Sequence, residues 1–585
     1  MGNYRNFSLA TYFIAQGTAR TTQAELEKDI AFFARHLRLD KVYVEPFRGG
    51  LLASSEQIEM VKACFAAQGI ATEGGLTPTI HNEPSGKPKQ RMYDTFCYTD
   101  ETMLAVLREA VARIAKHFDS FIIDDFFFTN CTCATCRGAR DTFNSAQGVT
   151  DGSWEAFRMD LMRGVSIDVL KTARQVNPGI QVVIKYPNWM ESFQETGYNP
   201  AEQKQLFDGV YTGTETRDPI HTDQHLPRYL SYSLMRHFEA MCPGKNGGGW
   251  FDPYDCLTLN HYLEQAYLTA FSKPKELMMF CFQSLVDTVN IPALGFMLDR
   301  LDETLDHLGD CVAIPCYIPD NSQGEDNLHD FLGMAGLPVA TTPYFPEHAP
   351  VMLLTRSSAK DPAIVEKLEP YVAAGGKAIV TSGFLEETLE RGMKRLTSAR
   401  IRGRKIMADA FAVEGDRPQQ MTYWRSPRPI AFPLVEFRNN ASWALAKAVV
   451  DEENYAILLR DTYGDGAVIT LAVPDMYADI RQLPAAVLTR LRKECSVNGI
   501  YLEGGPEIGL FVYDNDTVLL YPFVGRDAQR EEILLHVCGA KALRQAGSDG
   551  VIEPLYARGE EVVFALDTRP GVWQVYKIVR YVEEK

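Results

Sequence analysis

Along the first three hundred residues, short apolar runs alternate with stretches in which apolar positions recur every three or four residues. The runs are SLATYFIAQ (8–16), KVYVEPF (41–47), IATEGGL (70–76), SFIIDDF (120–126), QVVIKYP (181–187), GVYTGT (209–214), GGWFDP (248–253) and ELMMFCF (276–282). Their length and their β-branched and aromatic content predict strands. Between them TQAELEKDIAFFARHL, DETMLAVLREAVARIAKHF and NHYLEQAYLTAF carry the helical period. Eight strand–helix units over residues 1–308 have the dimensions of a (β/α)8 TIM barrel. A doubly wound open sheet is the competing arrangement, but it would carry a Gly-rich phosphate loop after its first strand, and this sequence has none there.

From residue 309 the texture changes. CVAIPCYIPD, VMLLTRSS, IVEKLEPYVAAGGKAIVTSGF and GDGAVITLAVPDMYADIRQLPAAVLTRL form a second α/β alternation over 309–500, Rossmann-like, with an irregular interruption near 395–440. Residues 501–585 are rich in strands, as in GLFVYDNDTVLLYPFV and WQVYKIVRYV, and predict a small β-sandwich. Three domains suit a chain of 585 residues, since a single core stops growing near ~250–300.

Charge narrows the partners. A net charge of -17 with a pI near 5.2 leaves no basic surface of the kind that nucleic acids or anionic membranes require. No apolar run approaches the ~18 residues of a membrane span. The start, MGNYRNFSLATYF, lacks the basic and apolar parts of a secretory signal. Twelve cysteines in such a chain read as mostly reduced core thiols, and a cytoplasmic location is expected.

One group of cysteines is spaced like metal ligands. Cys131, Cys133 and Cys136 form C-x-C-x-x-C in the segment leaving the fourth strand. Thiolates bind zinc tetrahedrally, and Cys97, which follows the third strand, can supply the fourth sulfur because neighbouring strands of a barrel lie side by side. Such a closed site is structural. Ordinary buried thiols are the alternative. His81, His221 and His225 also have ligand chemistry but read as surface residues.

Polar residues gather at the C-terminal ends of the predicted strands, the face where barrel enzymes build their sites. They are Glu45, Glu73, Asp124, Asp125, Lys185, Glu215 and Asp252. Side chains alternate along a strand, so only one of Asp124 and Asp125 is expected to point inward. Tyr186, Trp189, Tyr211, Trp250 and Tyr254 lie near the same ends, where flat rings can stack on sugars or simply pack the core. Lys185 and Arg217 can bind hydroxyls or a sugar carboxylate, or pair with nearby acids.

The lone cysteine after strand three, the C-x-C-x-x-C after strand four and the stretch EKLEPYVAAGGKAIVTSG together resemble the family 42 glycoside hydrolases; FDSFIIDDFFF is similar to strands of hypothetical glycosyl hydrolase families. The resemblance implies β-galactosidase-type architecture: a barrel, an amidotransferase-like trimerisation domain and a small β-domain. It also implies a homo-oligomer, a trimer in that family. The catalytic pattern departs from it. Where the family has Asn-Glu closing strand four, this chain has Asp124-Asp125; where it has a Glu nucleophile on strand seven, this chain has Trp250-Phe251-Asp252.

Glycoside hydrolysis needs two carboxylates. Asp124, Asp125, Glu215 and Asp252 are the candidates. A strand-four aspartate is expected as nucleophile or base and Glu215 as proton donor, with Glu45, Lys185, Tyr186, Trp189, Tyr211, Arg217 and Trp250 as substrate-binding residues. The expected substrate is a small oligosaccharide or glycoside, with zinc as a structural cofactor. Rival readings are a sugar lyase or isomerase using Lys185 as base, and a sugar-binding or scaffolding protein without catalysis.

Overall fold

The computed structural model describes residues 3–150, 152–415, 420–438, 440–525, 529–548 and 550–581. Eight parallel strands close into a barrel: β1 (Ser8–Phe13), β2 (Lys41–Arg48), β3 (Ala71–Leu76), β4 (Ser120–Ile123), β5 (Gln181–Tyr186), β6 (Gly209–Gly213), β7 (Asn246–Phe251) and β8 (Glu276–Met279). Each pairs with its neighbour in sequence, and β8 closes on β1 with Ser8 opposite Glu276 and Thr11 opposite Met279. All eight strands read from the sequence are present. Several of the helices between them start at side-chain caps. Thr22 and Glu25 form a reciprocal capping box at Gln23–Ala34, and Asp100 accepts from the Thr102 N–H at the start of Glu101–His117. The buried face of the latter, Met103, Leu107, Ala110, Val111 and Ile114, keeps the three-to-four spacing that packs a helix against a sheet.

The barrel interior is filled by Ala10, Tyr12, Tyr43, Ile122, Tyr211, Trp250 and Met278. Gly75 is required here, because a Cβ at this position would meet the Tyr12 hydroxyl at 2.5 Å. An ionic cluster closes the N-terminal end: Lys41 bridges Glu73 and Glu276 at 3.0 and 2.9 Å, and Tyr43 and Tyr211 donate to Glu276. Glu73, expected at the C-terminal rim, therefore belongs to the opposite end. Its strand starts at Ala71 and runs on through Gly74 and Gly75, so the rim is reached only beyond Leu76.

Contacts divide the chain into two compact units, residues 1–225 with 238–305, and residues 226–237 with 306–585. The second contains a nine-stranded sheet. Its parallel part runs Val339–Thr342, Ile314–Tyr317, Val351–Leu354, Lys377–Thr381 and Gly466–Leu471; its antiparallel part continues through Glu453–Tyr463, Ser442–Val450, Arg400–Glu414 and Met421–Glu436. The stretch expected to be irregular near 395–440 is thus the longest ribbon of the molecule. Gly403 and three prolines lie within it, and register shifts at Arg402/Lys405 and Ala408/Ala410 break the alternation that would reveal strands. A six-stranded and a four-stranded sheet follow and share one core that includes Leu502, Leu510, Leu520, Leu535, Phe564 and Ile578. Among the described residues no helix is long and apolar enough to cross a membrane.

Candidate active site

A cavity of about 720 Å³ opens at the C-terminal ends of the barrel strands. Asp124, Asp125, Lys185, Glu215 and Asp252 all line it. Lys185 is at its centre. This residue is inward on β5 and 1% exposed, and its ammonium donates to Asp125 Oδ2 at 2.6 Å, Glu215 Oε1 at 3.2 Å and Asp124 Oδ1 at 3.5 Å. Three donors meet three carboxylates, and the Trp250 ring lies 4.0 Å from the same nitrogen. Burial opposes the charge on Lys185, but Asp125, Glu215 and Asp124 outweigh it and raise its pKa. These contacts favour the ammonium form of Lys185 and count against its use as the base of a lyase or isomerase.

Both strand-four aspartates face the cavity, contrary to the expectation from alternation. The strand ends at Ile123, and the chain turns at once, with the Phe127 N–H on the Asp124 carbonyl, so period two no longer applies. Their environments differ. Arg48 Nη2 lies 3.1 Å from Asp124 Oδ2, the Thr77 hydroxyl is 3.0 Å from the same oxygen, and the Asp125 N–H donates to Oδ1 at 2.8 Å. Burial works against the charge on Asp124, yet Lys185 and Arg48 hold its carboxyl below the usual range. Asp125 is pushed the other way, up to about 7, chiefly by burial; Lys185 only partly offsets this, and Asp124 and Glu215 repel its charge. Two adjacent carboxyls thus differ in protonation at neutral pH, a division that acid–base chemistry can use.

Glu215 follows β6. Gly213 leaves room for it, since a Cβ there would lie 2.8 Å from Glu215 Oε2. Asn188 donates to the Glu215 carbonyl at 2.7 Å. Oε1 meets Lys185, whereas Oε2 is buried with no partner among the described residues. Asp252 is occupied differently. Arg217 grips it through Nε at 3.0 Å and Nη2 at 2.7 Å, and the Tyr254 N–H donates to it as well. Burial raises the pKa of Asp252 against the pull of Arg217. Arg217 itself has φ +54°, a left-handed conformation uncommon away from glycine.

Of the expected substrate-binding residues, Lys185, Trp189, Arg217 and Trp250 line the cavity. Tyr186 does not. It has the opposite parity to Lys185 on β5, so it faces the helices, stacking on Phe238 at 4.9 Å and donating to Gln203. Tyr211 points inward, but its hydroxyl reaches Glu276 at the N-terminal end. Glu45 is fully buried and acts on the cavity through Arg48, accepting from its Nε at 2.8 Å and from Tyr12 and the Ala15 N–H. Arg48 is the residue missed from the sequence. Its signal was a cation three residues beyond Glu45 at the end of β2.

The four cysteines converge. The sulfurs of Cys97, Cys131, Cys133 and Cys136 all lie within 4.8 Å of one another, with Cys97 at 3.8 Å from Cys133 and 3.6 Å from Cys136. Four sulfurs ~2.3 Å from one tetrahedral ion stand roughly 3.8 Å apart, so the set fits a metal ion. His81, His221 and His225 are not part of it; the first two pair with Asp94 and Asp218.

A barrel whose strand ends assemble carboxyls of unequal protonation beside aromatic rings has the construction of an enzyme acting on sugars. Residues 1–294 match the family model described as "Probable glycosyl hydrolase, catalytic domain", and the chain belongs to that family. Residues 308–476 match the second domain of uncharacterized protein SSO3021. That protein, from Saccharolobus solfataricus, is 23% identical over 503 residues, 80% of this chain and 82% of its own. Solved structures share the fold over nearly the whole length. α-L-Fucosidase isoenzyme 2 from Paenibacillus thiaminolyticus has a TM-score of 0.64 at 12% identity, covering 99% of this chain and 100% of its own. The β-galactosidase from Rahnella sp. R3 gives 0.64 at 12%, covering 98% and 99%. A catalytic mutant of Gan42B, a GH42 β-galactosidase from G. stearothermophilus, gives 0.62 at 11%, covering 98% of each chain. The resemblance to family 42 holds at the level of the fold.

The raised pKa of Asp125 has a consequence for stability. Between the unfolded value of ~3.9 and the folded value of about 7, the folded state binds the extra proton, so stability falls as pH rises through this window and stays lower above it. Asp125→Asn removes the burden. Its melting temperature is expected to exceed that of the parent by several degrees at pH 8 and to match it at pH 4. Calorimetry across this range checks it, and parallel curves would refute burial as the cause.

Proposed function

We propose that this protein hydrolyses O-glycosidic bonds of small oligosaccharides or glycosides, with Asp125 and Glu215 as the reacting pair around Lys185. The opposite protonation preferences of Asp124 and Asp125 carry this reading. Asp125, protonated in part at neutral pH, is the proton donor to the glycosidic oxygen. Asp124 already has Arg48, Lys185 and a backbone N–H on its oxygens, so its role is to keep the site charged and fixed. Glu215, with Oε2 uncommitted, is the nucleophile. These roles reverse the sequence expectation for Glu215. Asp252 holds Arg217 toward the substrate.

The pair also bears on stereochemistry. Asp125 Oδ2 and Glu215 Oε1 touch the same nitrogen at 2.6 and 3.2 Å, so these two oxygens stand at most about 5.8 Å apart, nearer the ~5–5.5 Å of retaining pairs than the ~6.5–9.5 Å of inverting ones. This favours a covalent glycosyl-enzyme and retention. The cysteine set supports a structural zinc, since a closed all-sulfur site leaves no position for substrate. It ties the loop after β3 to the loop after β4, next to Asp124 and Asp125. None of the twelve cysteines is paired in a disulfide, in keeping with a cytoplasmic location. A homotrimer is proposed from the resemblance to family 42.

On a glycoside that the parent cleaves, Asp125→Asn and Glu215→Gln should each lower kcat by more than roughly 100-fold. Activity should fall as pH rises through about 7, where Asp125 loses its proton. NMR of the first-formed sugar should show retained configuration. Unchanged turnover in both variants, with folding intact, would refute the assignment, and no reducing-sugar release by the parent from any glycoside would leave a binding protein.

The metal site predicts about one zinc per chain by elemental analysis. Cys133→Ser should lower thermal stability more than it alters substrate preference, because a closed thiolate site contributes folding energy. Metal-replete protein without zinc would exclude it.

Light scattering should give about three times the chain mass of 65.6 kDa. A mass of one chain across concentrations would exclude the trimer.

A further inference from the structure

Beyond the acids, the cavity has an aromatic side that the reaction as proposed does not use. Phe126 and Phe128 follow Asp125 within three residues. Phe128 meets Trp189 edge-on, with centroids 5.4 Å apart at 83°, and meets Tyr93 at 6.3 Å and 68°. All four rings line the cavity. Behind them Tyr198 packs on Phe128 and Trp189 at 6.2 and 5.6 Å, and its hydroxyl donates to the Asp125 carbonyl at 2.8 Å. The wall and Asp125 therefore rest on one support.

We infer that this wall is the binding site for the leaving group, and that it takes an uncharged ring, either a second sugar or an aryl group. The inference rests on the proposed hydrolysis. A proton donor must reach the glycosidic oxygen, so the leaving group lies on the donor's side. That side is the wall. It also contains the outermost ring of the cavity. Trp250, over Lys185, is 2% exposed, whereas Tyr93 is 65% exposed.

The chain holds Tyr93 out at a conformational cost. Tyr93 and Asp94 have φ +59° and +55°, two consecutive left-handed residues, neither a glycine. The surrounding loop is tied down on both sides. The Met92 N–H donates to Asn130, Asp94 binds His81 and Lys89, and Arg91 binds Glu83 and approaches the Cys131 sulfur at 3.9 Å. Strain retained by so many contacts marks a placed side chain.

The charge of the ligand follows from the cations. Arg48 is taken by Glu45 and Asp124, Arg217 by Asp252, and Lys185 by three carboxylates. Among the described residues, Glu195, an acid, is the one charged side chain besides Asp125 that lines the cavity on the wall side. A carboxylate or phosphate on the leaving group would meet no free cation there and would face Glu195. An uncharged face stacks instead.

Tyr93→Ala separates the possibilities, because an exposed side chain can be truncated with little effect on folding. Matched substrates are an aryl glycoside, a disaccharide and the glycosyl fluoride of the same sugar, whose leaving group is too small to touch the wall. The variant should lose about 3–10-fold in kcat/KM, through KM, on the first two, as expected for one aromatic contact, and stay within about twofold on the fluoride. Equal loss on all three, or loss on none, overturns the inference. Titration with non-hydrolysable phenyl thioglycosides, followed by tryptophan fluorescence, tests the wall without catalysis. Tyr93→Ala should weaken their binding by a similar factor, and the p-carboxyphenyl analogue should bind the parent more weakly than the phenyl compound. If the parent cleaves nothing but binds these ligands in this way, the hydrolysis fails and the aromatic site stands; if it binds none of them, the aromatic site fails.

Discussion

The cavity is organised by one buried ammonium. Lys185 has almost no contact with solvent, and such a charge persists only when neighbouring acids repay its desolvation. It does so with acids from two other strand ends, and the cost appears as an uneven division of charge among them. Asp124, with Arg48 on its far side, keeps its negative charge; Asp125, without a second cation, tends to keep its proton. Removal of Lys185 would leave three carboxyls crowded together without the cation they share. The ends of β4, β5 and β6 are thus joined through a single nitrogen.

Behind Asp124 runs a second layer that transmits position from β1, β2 and β3. Tyr12, the Ala15 N–H and Thr77 hold Glu45, Glu45 holds Arg48, and Arg48 holds Asp124. None of the first three needs to touch a sugar. Their effect on it is to fix the angle of a guanidinium, and errors of about 1 Å in such positioning cost on the order of 100-fold in rate.

The barrel was legible because each strand is a short apolar run between strong helical periods, and both signals are local. Asp124, Asp125, Lys185, Glu215 and Asp252 were legible for the same reason: the end of an apolar run is the end of a strand. What failed depended on single-residue phase. Tyr186 and Lys185 are adjacent and face opposite ways, and only the paired neighbours decide which is inside. Glu73 was misplaced although its strand was read to the observed end at Leu76, because it is only the third residue of Ala71–Leu76 and so lies near the start of the strand. Arg48 and the roles proposed for Asp125 and Glu215 depend on contacts between distant segments, which no spacing records. The ribbon at 400–436 escaped notice because its charged, proline-bearing strands lack alternation.

That ribbon has a further consequence. Met421–Glu436 is the last strand of its sheet, and a row of unpaired backbone donors on such a strand would invite another chain to add itself. Pro427, Pro429 and Pro433 have no N–H to offer, and Arg425 and Arg428 bring charge to the same edge. This edge of the sheet is poorly suited to growth by strand addition. Copies of this protein that meet at this edge must recognise one another through side chains, and an unfolding intermediate that retains the sheet has one less surface on which to aggregate.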